Sequence, residues 1–200
     1  MIKNAQLIGL SQQMALQRQM DVVANNMANI NTTGFKAENI LFEEYVMPVA
    51  RDNDFPTTDQ PLSYVEDWAT IHDMSGGAMV QTGSELDVAL NGDGFFAVQT
   101  PAGERWTKAG AFQLNAAGTL VDASGNQVLG QAGPITFGPA ETGILIGKDG
   151  SVSSSAGAKG SLRVVEFANP QALKRGGNNL YSGGTPVAAT QTRTLQGFIE

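Results

Sequence analysis

Residues 1–33 contain no proline and one glycine, Gly9, in a chain that carries 24 glycines and 8 prolines in all. They are rich in Leu, Met, Ala and Gln, which lose little rotamer freedom in a helix. The pattern predicts one long helix from Asn4 to Asn29, ending near Thr33-Gly34, where glycine supplies a left-handed cap. At ~1.5 Å per residue that helix is roughly 40 Å long. It constrains the rest of the chain because its apolar residues do not share one side. At ~100° per residue, Leu16, Met20, Val23, Met27 and Ile30 form a heptad-like seam, with Ile2 and Ala5 on the same side. Leu7, Leu10 and Met14 form a second stripe on nearly the opposite side. A helix lying on one core needs one apolar stripe. Two stripes ask for two partners, or for burial at the centre of the helix's own domain. The remaining sequence offers no second long helix to bury it.

The polar residues are ordered as well. Asn4, Ser11, Arg18 and Asn25 recur at intervals of seven, with Asn29 on the same face, and Asn25, Asn26, Asn29 and Asn31 crowd the last turns. Each Asn costs roughly 0.6 kcal/mol against Ala in a helix interior. Two explanations stay open. The amides hydrogen-bond across a helix interface and fix its register, or they mark a frayed, solvated helix end.

Beyond the helix the sequence predicts an α+β (mainly β) chain. Residues 35–80 open with a short helical or extended stretch through Leu41, Phe42 and Tyr45, then turn irregular around Pro48, Pro56 and Pro61. They read as a linker segment. From about residue 81 to 190, short apolar runs alternate with turn signals roughly every ten residues, as in a sandwich or barrel of short antiparallel strands. Leu86 to Leu90 alternates, Asn91-Gly92-Asp93-Gly94 is a turn, and Phe95 to Thr100 reads as the return strand. Phe95, Phe96, Trp106 and Phe112 are expected in the β core.

Composition removes several functions. With 12 Lys+Arg against 19 Asp+Glu, the formal net charge is -7, and an acidic chain repels phosphate backbones. There is no cysteine and one histidine, His72, so disulfides, thiolate zinc sites and histidine clusters are out. No run approaches ~18 consecutive apolar residues, so direct membrane insertion is not expected. Gly92-Asp93-Gly94-Phe95-Phe96-Ala97 matches a dinucleotide fingerprint, but a strand follows where a helix is required. Gly143 to Lys148 has the wrong spacing for a phosphate loop. Asp52-Asn53-Asp54 lacks the glycine and the terminal Glu of a calcium loop. His72 has no Ser or Asp constellation in sequence, and the adjacent Glu43 and Glu44 diverge in direction and do not flank one bond. No catalytic, cofactor or metal set is identified.

Val22-Val23-Ala24-Asn25-Asn26-Met27-Ala28-Asn29-Ile30-Asn31-Thr32-Thr33-Gly34-Phe35-Lys36 resembles the N-terminal signature of bacterial flagellar rod and hook proteins. Leu86-Asp87-Val88-Ala89-Leu90-Asn91-Gly92-Asp93-Gly94-Phe95-Phe96-Ala97-Val98 resembles the opening of that family's β domain. Trp106-Thr107-Lys108-Ala109-Gly110-Ala111-Phe112 and Asn115 to Val121 continue it, and Leu195-Gln196-Gly197-Phe198-Ile199-Glu200 resembles the strand that returns to the axial core. The resemblance thus covers essentially the whole chain. Phe42 to Pro48 and Val128 to Ile135 look more like the proximal-rod type than the distal-rod type.

The resemblance implies a structural subunit of the flagellar basal body, not an enzyme. Residues 1–34 would form the inner tube, 81–190 the outer layer, and 191–200 the return toward a second helix. That helix lies outside these 200 residues, since family members continue past Gly-Phe-Ile-Glu. The assembly interface is then expected on Leu7, Leu10, Met14, Leu16, Met20, Val23, Asn25, Asn26, Met27, Asn29 and Ile30. The seam starting at Leu16 would face the C-terminal helix and the opposite stripe a neighbouring subunit. Expected partners are other rod subunits, of the FlgB, FlgC and FlgG types, and copies of the chain itself. The resemblance also implies export without a cleaved signal peptide and location in a rod crossing the periplasm. The alternative, a periplasmic β binding module, predicts a signal peptide; Gln6, Gly9, Ser11, Gln12 and Gln13 interrupt the apolar run such a signal needs.

Overall fold

The computed structural model describes residues 2–46 and 63–200. It divides into two compact units, one drawn from Met1–Ile30 and Ala37–Asp73, the other from Asn31–Lys36 and Met74–Glu200. The prolines at 48, 56 and 61 and the Asp52-Asn53-Asp54 motif lie outside the described residues.

The first unit holds the helix α1 (Ile2–Ala28) and two strands, β1 (Glu38–Val46) and β2 (Ser63–His72). The helix follows from the run of strong helix formers. Its last turn closes on Asn29, whose backbone N–H and side-chain Nδ2 both donate to Asn25 O, at 3.2 and 2.8 Å. The Asn29 side chain thus adds a second donor to a carbonyl of the last turn. The helix stops at Ala28, six residues before Gly34, so Gly34 is not its cap, contrary to the sequence expectation.

β1 and β2 pair antiparallel from Glu38↔His72 to Val46↔Ser63, with a bulge at Leu41/Phe42. Much of the expected linker is thus a paired hairpin. Its segments, ENILFEEYV and SYVEDWATIH, are rich in β-branched and aromatic residues. The nearby prolines masked that signal. α1 packs along this hairpin.

The second unit is built of short strands. In chain order they are β3 (Val80–Gln81), β4 (Val88–Asn91), β5 (Phe95–Thr100), β6 (Gly103–Thr107), β7 (Gln113–Leu114), β8 (Leu120–Val121), β9 (Gln127–Gly130) and β10 (Gly133–Pro134). There follow β11 (Leu145–Ile146), β12 (Ser151–Ser154), β13 (Gly157–Ser161), β14 (Val164–Glu166), β15 (Lys174–Arg175), β16 (Leu180–Ser182), β17 (Val187–Ala188), β18 (Arg193–Gln196) and β19 (Phe198–Ile199). A sheet of ten runs β15-β16-β6-β5-β9-β8-β7, with β10, β14 and β17 attached at its sides. The other groups are β11-β12-β13, β18-β4 and β19-β3. All pairings are antiparallel, giving an α+β fold that is mainly β.

β5 is the centre. Phe95, Phe96, Ala97 and Val98 are all fully buried. Successive side chains point to opposite faces. Phe95 and Ala97 enter one cluster with Trp106, Phe167 and Tyr181; Phe96 and Val98 enter another with Phe112, Leu120, Val128 and Val152. Edge-to-face rings tie each cluster, with Phe95 to Tyr181 at 5.7 Å and Phe96 to Phe112 at 5.0 Å between centroids. The expected aromatic core is present.

One strand pairing differs from expectation. Asn91 to Gly94 is a turn, but β5 does not fold back onto β4. β4 pairs with β18, Val88↔Gln196 through Asn91↔Arg193, while β5 pairs with β6, β9 and β14. Gly110 shows how close the packing is: a Cβ there would sit 1.7 Å from Val88 O. Leu120→Ala is expected to destabilise the β unit by about 2–5 kcal/mol in denaturant unfolding, whereas Leu145→Ala, at an exposed strand position, should change it by less than about 0.5 kcal/mol.

Candidate assembly interface

The covered side of α1 is neither predicted stripe. Val22 is buried, and Ile8, Ser11, Ala15, Asn26 and Asn29 are half-buried, at intervals of three, four and seven along the helix. This third face takes the contacts within the chain. Leu16, Met20, Val23, Met27 and Ile30 lie about 100° round the helix on one side of it, Leu10 and Met14 about 100° on the other. All seven are exposed, with Met27 at 71% and Ile30 at 78%. Side-chain placement of Leu7 lies outside the described residues. Ordinary soluble surfaces scatter single apolar residues, whereas here six exposed ones lie along α1 and Ile30 follows just beyond its end.

The amides divide between two tasks. Asn26 Nδ2 donates to Glu38 O at 2.9 Å, and Asn26 Oδ1 accepts from the Glu38 N–H at 3.0 Å. The Asn26 amide is therefore committed within the chain, where it pins α1 to the start of β1. Asn29 closes the helix end, and Asn25 is exposed.

The second half of the signature docks into the β unit. Thr33 O accepts from Asn179 Nδ2 at 3.1 Å. Gly34 takes φ +67°, and a Cβ there would meet Ala109 N at 2.3 Å. The Phe35 ring lies under the Arg175 guanidinium, 4.3 Å from its centroid, a cation–π contact. Lys36 is buried and ion-paired with Glu200, and its Nζ also donates to Ser75 O at 2.7 Å. Burial acts to raise the Glu200 carboxyl, but the Lys36 ammonium, the Gly77 N–H and Lys108 outweigh it and hold the carboxyl below its usual range.

Asn179, Arg175 and Glu200 escaped the sequence reading. The one available cue was Gly176-Gly177-Asn178-Asn179, since Asn tolerates the left-handed conformation that Asn178 (φ 59°) and Asn179 (φ 56°) adopt.

Glu43 and Glu44 side chains lie outside the described residues. His72 Nδ1 sits 3.8 Å from Glu38 Oε1. The Lys159 ammonium, the Ser154 hydroxyl and the Gly138 N–H hold the Glu141 carboxyl at about 2. Among the described residues no group of three or more potential metal ligands converges, and no helix is long and apolar enough to cross a membrane.

Two substitutions test these placements. Gly34→Ala meets both a left-handed backbone and a backbone neighbour, and should cost the β unit about 2 kcal/mol or more in denaturant unfolding. Asn26→Ala strips two partners from Glu38 and should cost about 1–3 kcal/mol; amide exchange at Glu38 should rise while β5 is unchanged.

Comparison with known proteins agrees with this distribution. Residues 7–36 match the family model for flagella basal body rod protein, and residues 89–154 match that for the flagellar hook protein FlgE/F/G D1 domain. The chain is 38% identical to the flagellar basal-body rod protein FlgF of Caulobacter vibrioides, over 98% of this chain and 81% of that protein. It is 33% identical to FlgF of Mesorhizobium japonicum, over 96% of this chain and 79% of that protein. It is 34% identical to the basal-body rod protein FlgG of Bacillus subtilis, over 96% of this chain and 81% of that protein. One matched region contains most of the striped helix and its docking segment, the other the doubly buried strand and part of its sheet. The chain belongs to the flagellar basal-body rod protein family, a family of structural subunits of the flagellum.

Proposed function

We propose that this rod subunit joins its neighbours through α1, with the two exposed stripes meeting different partners. The observation that carries the proposal is the exposure of all seven described stripe residues while a third helix face, centred on Val22, makes the contacts within the chain. Burying a Leu, Met, Ile or Val side chain stabilises by about 1.5–3 kcal/mol. Seven of them supply on the order of 10 kcal/mol gross, enough to offset the loss of free motion on association. The β unit, with its own two cores, forms the outer layer, and residues 191–200 return toward the axis. Partners are other rod subunits, of the FlgB, FlgC and FlgG types, and copies of this chain. The subunit is exported unfolded, stiffens the rod on assembly and carries motor torque.

Within the family the proximal-rod, FlgF-like assignment is supported by the Caulobacter relative at 38% identity. A distal-rod role is the second reading, favoured by 34% identity to a FlgG over nearly the same share of the chain. Electron microscopy of basal bodies from a strain lacking the gene separates them. Rods absent or stopping at the proximal segment, restored by the gene, support the first. Rods that stop only beyond it support the second, and complete rods exclude both.

The helix surface has its own test. Met20→Asp combined with Met27→Asp should abolish recovery of the subunit in purified basal bodies. Denaturant stability of the β unit should change by less than about 0.5 kcal/mol, while α1 itself loses about 1 kcal/mol of helix propensity. Normal incorporation would remove the seam from the interface.

A further inference from the structure

Four stretches of the β unit, far apart in sequence, meet at one buried ion pair. The Lys36 and Glu200 side chains are 4% and 5% exposed. Glu200 Oε1 accepts from Lys36 Nζ and from the Gly77 N–H, the latter at 2.6 Å. The Glu200 backbone carbonyl accepts from the Gly34 N–H at 3.0 Å. Lys36 also donates to Ser75 O. Lys108 stands behind the pair, itself buried, with Nζ 3.3 Å from Gly92 O and 5.2 Å from the Phe95 ring centroid. Two buried ammonium groups are thus balanced by one buried carboxylate, with Asp93 as the remaining acidic group acting on Lys108.

The strands at this place are short, and beyond the pair they are held mainly by backbone bonds of Gly197 with Thr82, Gly83 and Asp87. β19 pairs with β3 over two residues, Phe198↔Gln81 and Ile199↔Val80, and residues 75–81 are exposed throughout. Segments with few buried apolar contacts open locally at low free energy. A buried charge stripped of its partner is strongly unfavourable and forces rearrangement. We propose that Lys36–Glu200 is a charge-balanced clasp. It closes residues 34–36 and 75–77 onto the β unit only when the return strand β19 is in place and Glu200 is ionised. When it opens, these segments open as a local unit while both cores stay folded. Lys36 and Glu200 are 164 positions apart. The segment that follows α1 therefore takes one of its anchors, beside Asn179 and Arg175, from the far end of the chain.

The pH dependence has a definite sign. The folded Glu200 carboxyl ionises below its ordinary range. The clasp is therefore intact above that range and is lost as pH falls through the depressed value. The groups facing Glu200 are the Lys36 and Lys108 ammonium groups, and protonating Glu200 removes the carboxylate that offsets their mutual repulsion.

The test is site-resolved amide exchange on the full 200-residue chain, comparing wild type, Glu200→Gln and the double variant Lys36→Met with Glu200→Gln. Glu200→Gln should raise exchange at Gly34 and Gly77 on the order of 100-fold, with Ala97 and Leu120 changed by less than about threefold. The double variant, which removes the stranded Lys36 charge, should recover most of the lost protection. A change below about threefold at both glycines, or a double variant as open as the single, overturns the proposal. Should Glu200→Gln unfold outright, the wild-type chain decides. Protection factors at Gly34 and Gly77 should collapse on acidification before those at Ala97 and Leu120. A collapse in unison, or none, refutes the clasp.

Discussion

The β unit depends on the burial of β5 from both sides. Phe95 and Ala97 face one cluster, Phe96 and Val98 the other, and none of the four reaches solvent. A strand covered on one face alternates apolar with polar; one covered on both is apolar throughout. That requires partners along both edges and cover on both faces, which β6, β9 and β14 and the two clusters provide. Because interiors are packed as densely as organic crystals, the close approaches elsewhere in this unit, such as Gly110 against Val88, follow from the same demand.

α1 obeys a different constraint. Its chemistry gives it three faces rather than two. The one made of small and polar residues around Val22 is covered within the chain, with Asn26 clamping Glu38 by both backbone groups. The two richest in Leu and Met are left outside. A chain optimised for stability alone would do the reverse. The arrangement also places the Asn-rich signature in two roles at once, one half securing the helix and the other docking into the β unit.

The helix, its length and both stripes were legible because helix propensity and 3.6-residue periodicity are local properties of contiguous residues. So were the turn at Asn91 to Gly94 and the aromatic core. The β1–β2 hairpin was not, because Pro48, Pro56 and Pro61 dominated the reading of residues 35–80. The role of Gly34 was half legible. The sequence shows its need for a left-handed backbone but points to the helix end, whereas the helix stops at Ala28 and Gly34 makes room for the backbone of Ala109. Asn26 was legible as a special residue but not as one committed to Glu38, since twelve positions of separation carry no periodic signal.

By itself the sequence determined the helix, the apolar stripes, the positions of the turns and membership of the rod family, because each is written in neighbouring residues or in long matched segments. The tertiary structure alone decided which helix face the chain keeps for itself, that β4 pairs with β18 rather than β5, and that Lys36 meets Glu200 beside Lys108. Those are choices among distant partners. They are settled by which arrangement covers both faces of β5 and gives the buried Lys36 ammonium and Asn179 amide their partners, and that balance exists only once distant segments have come together.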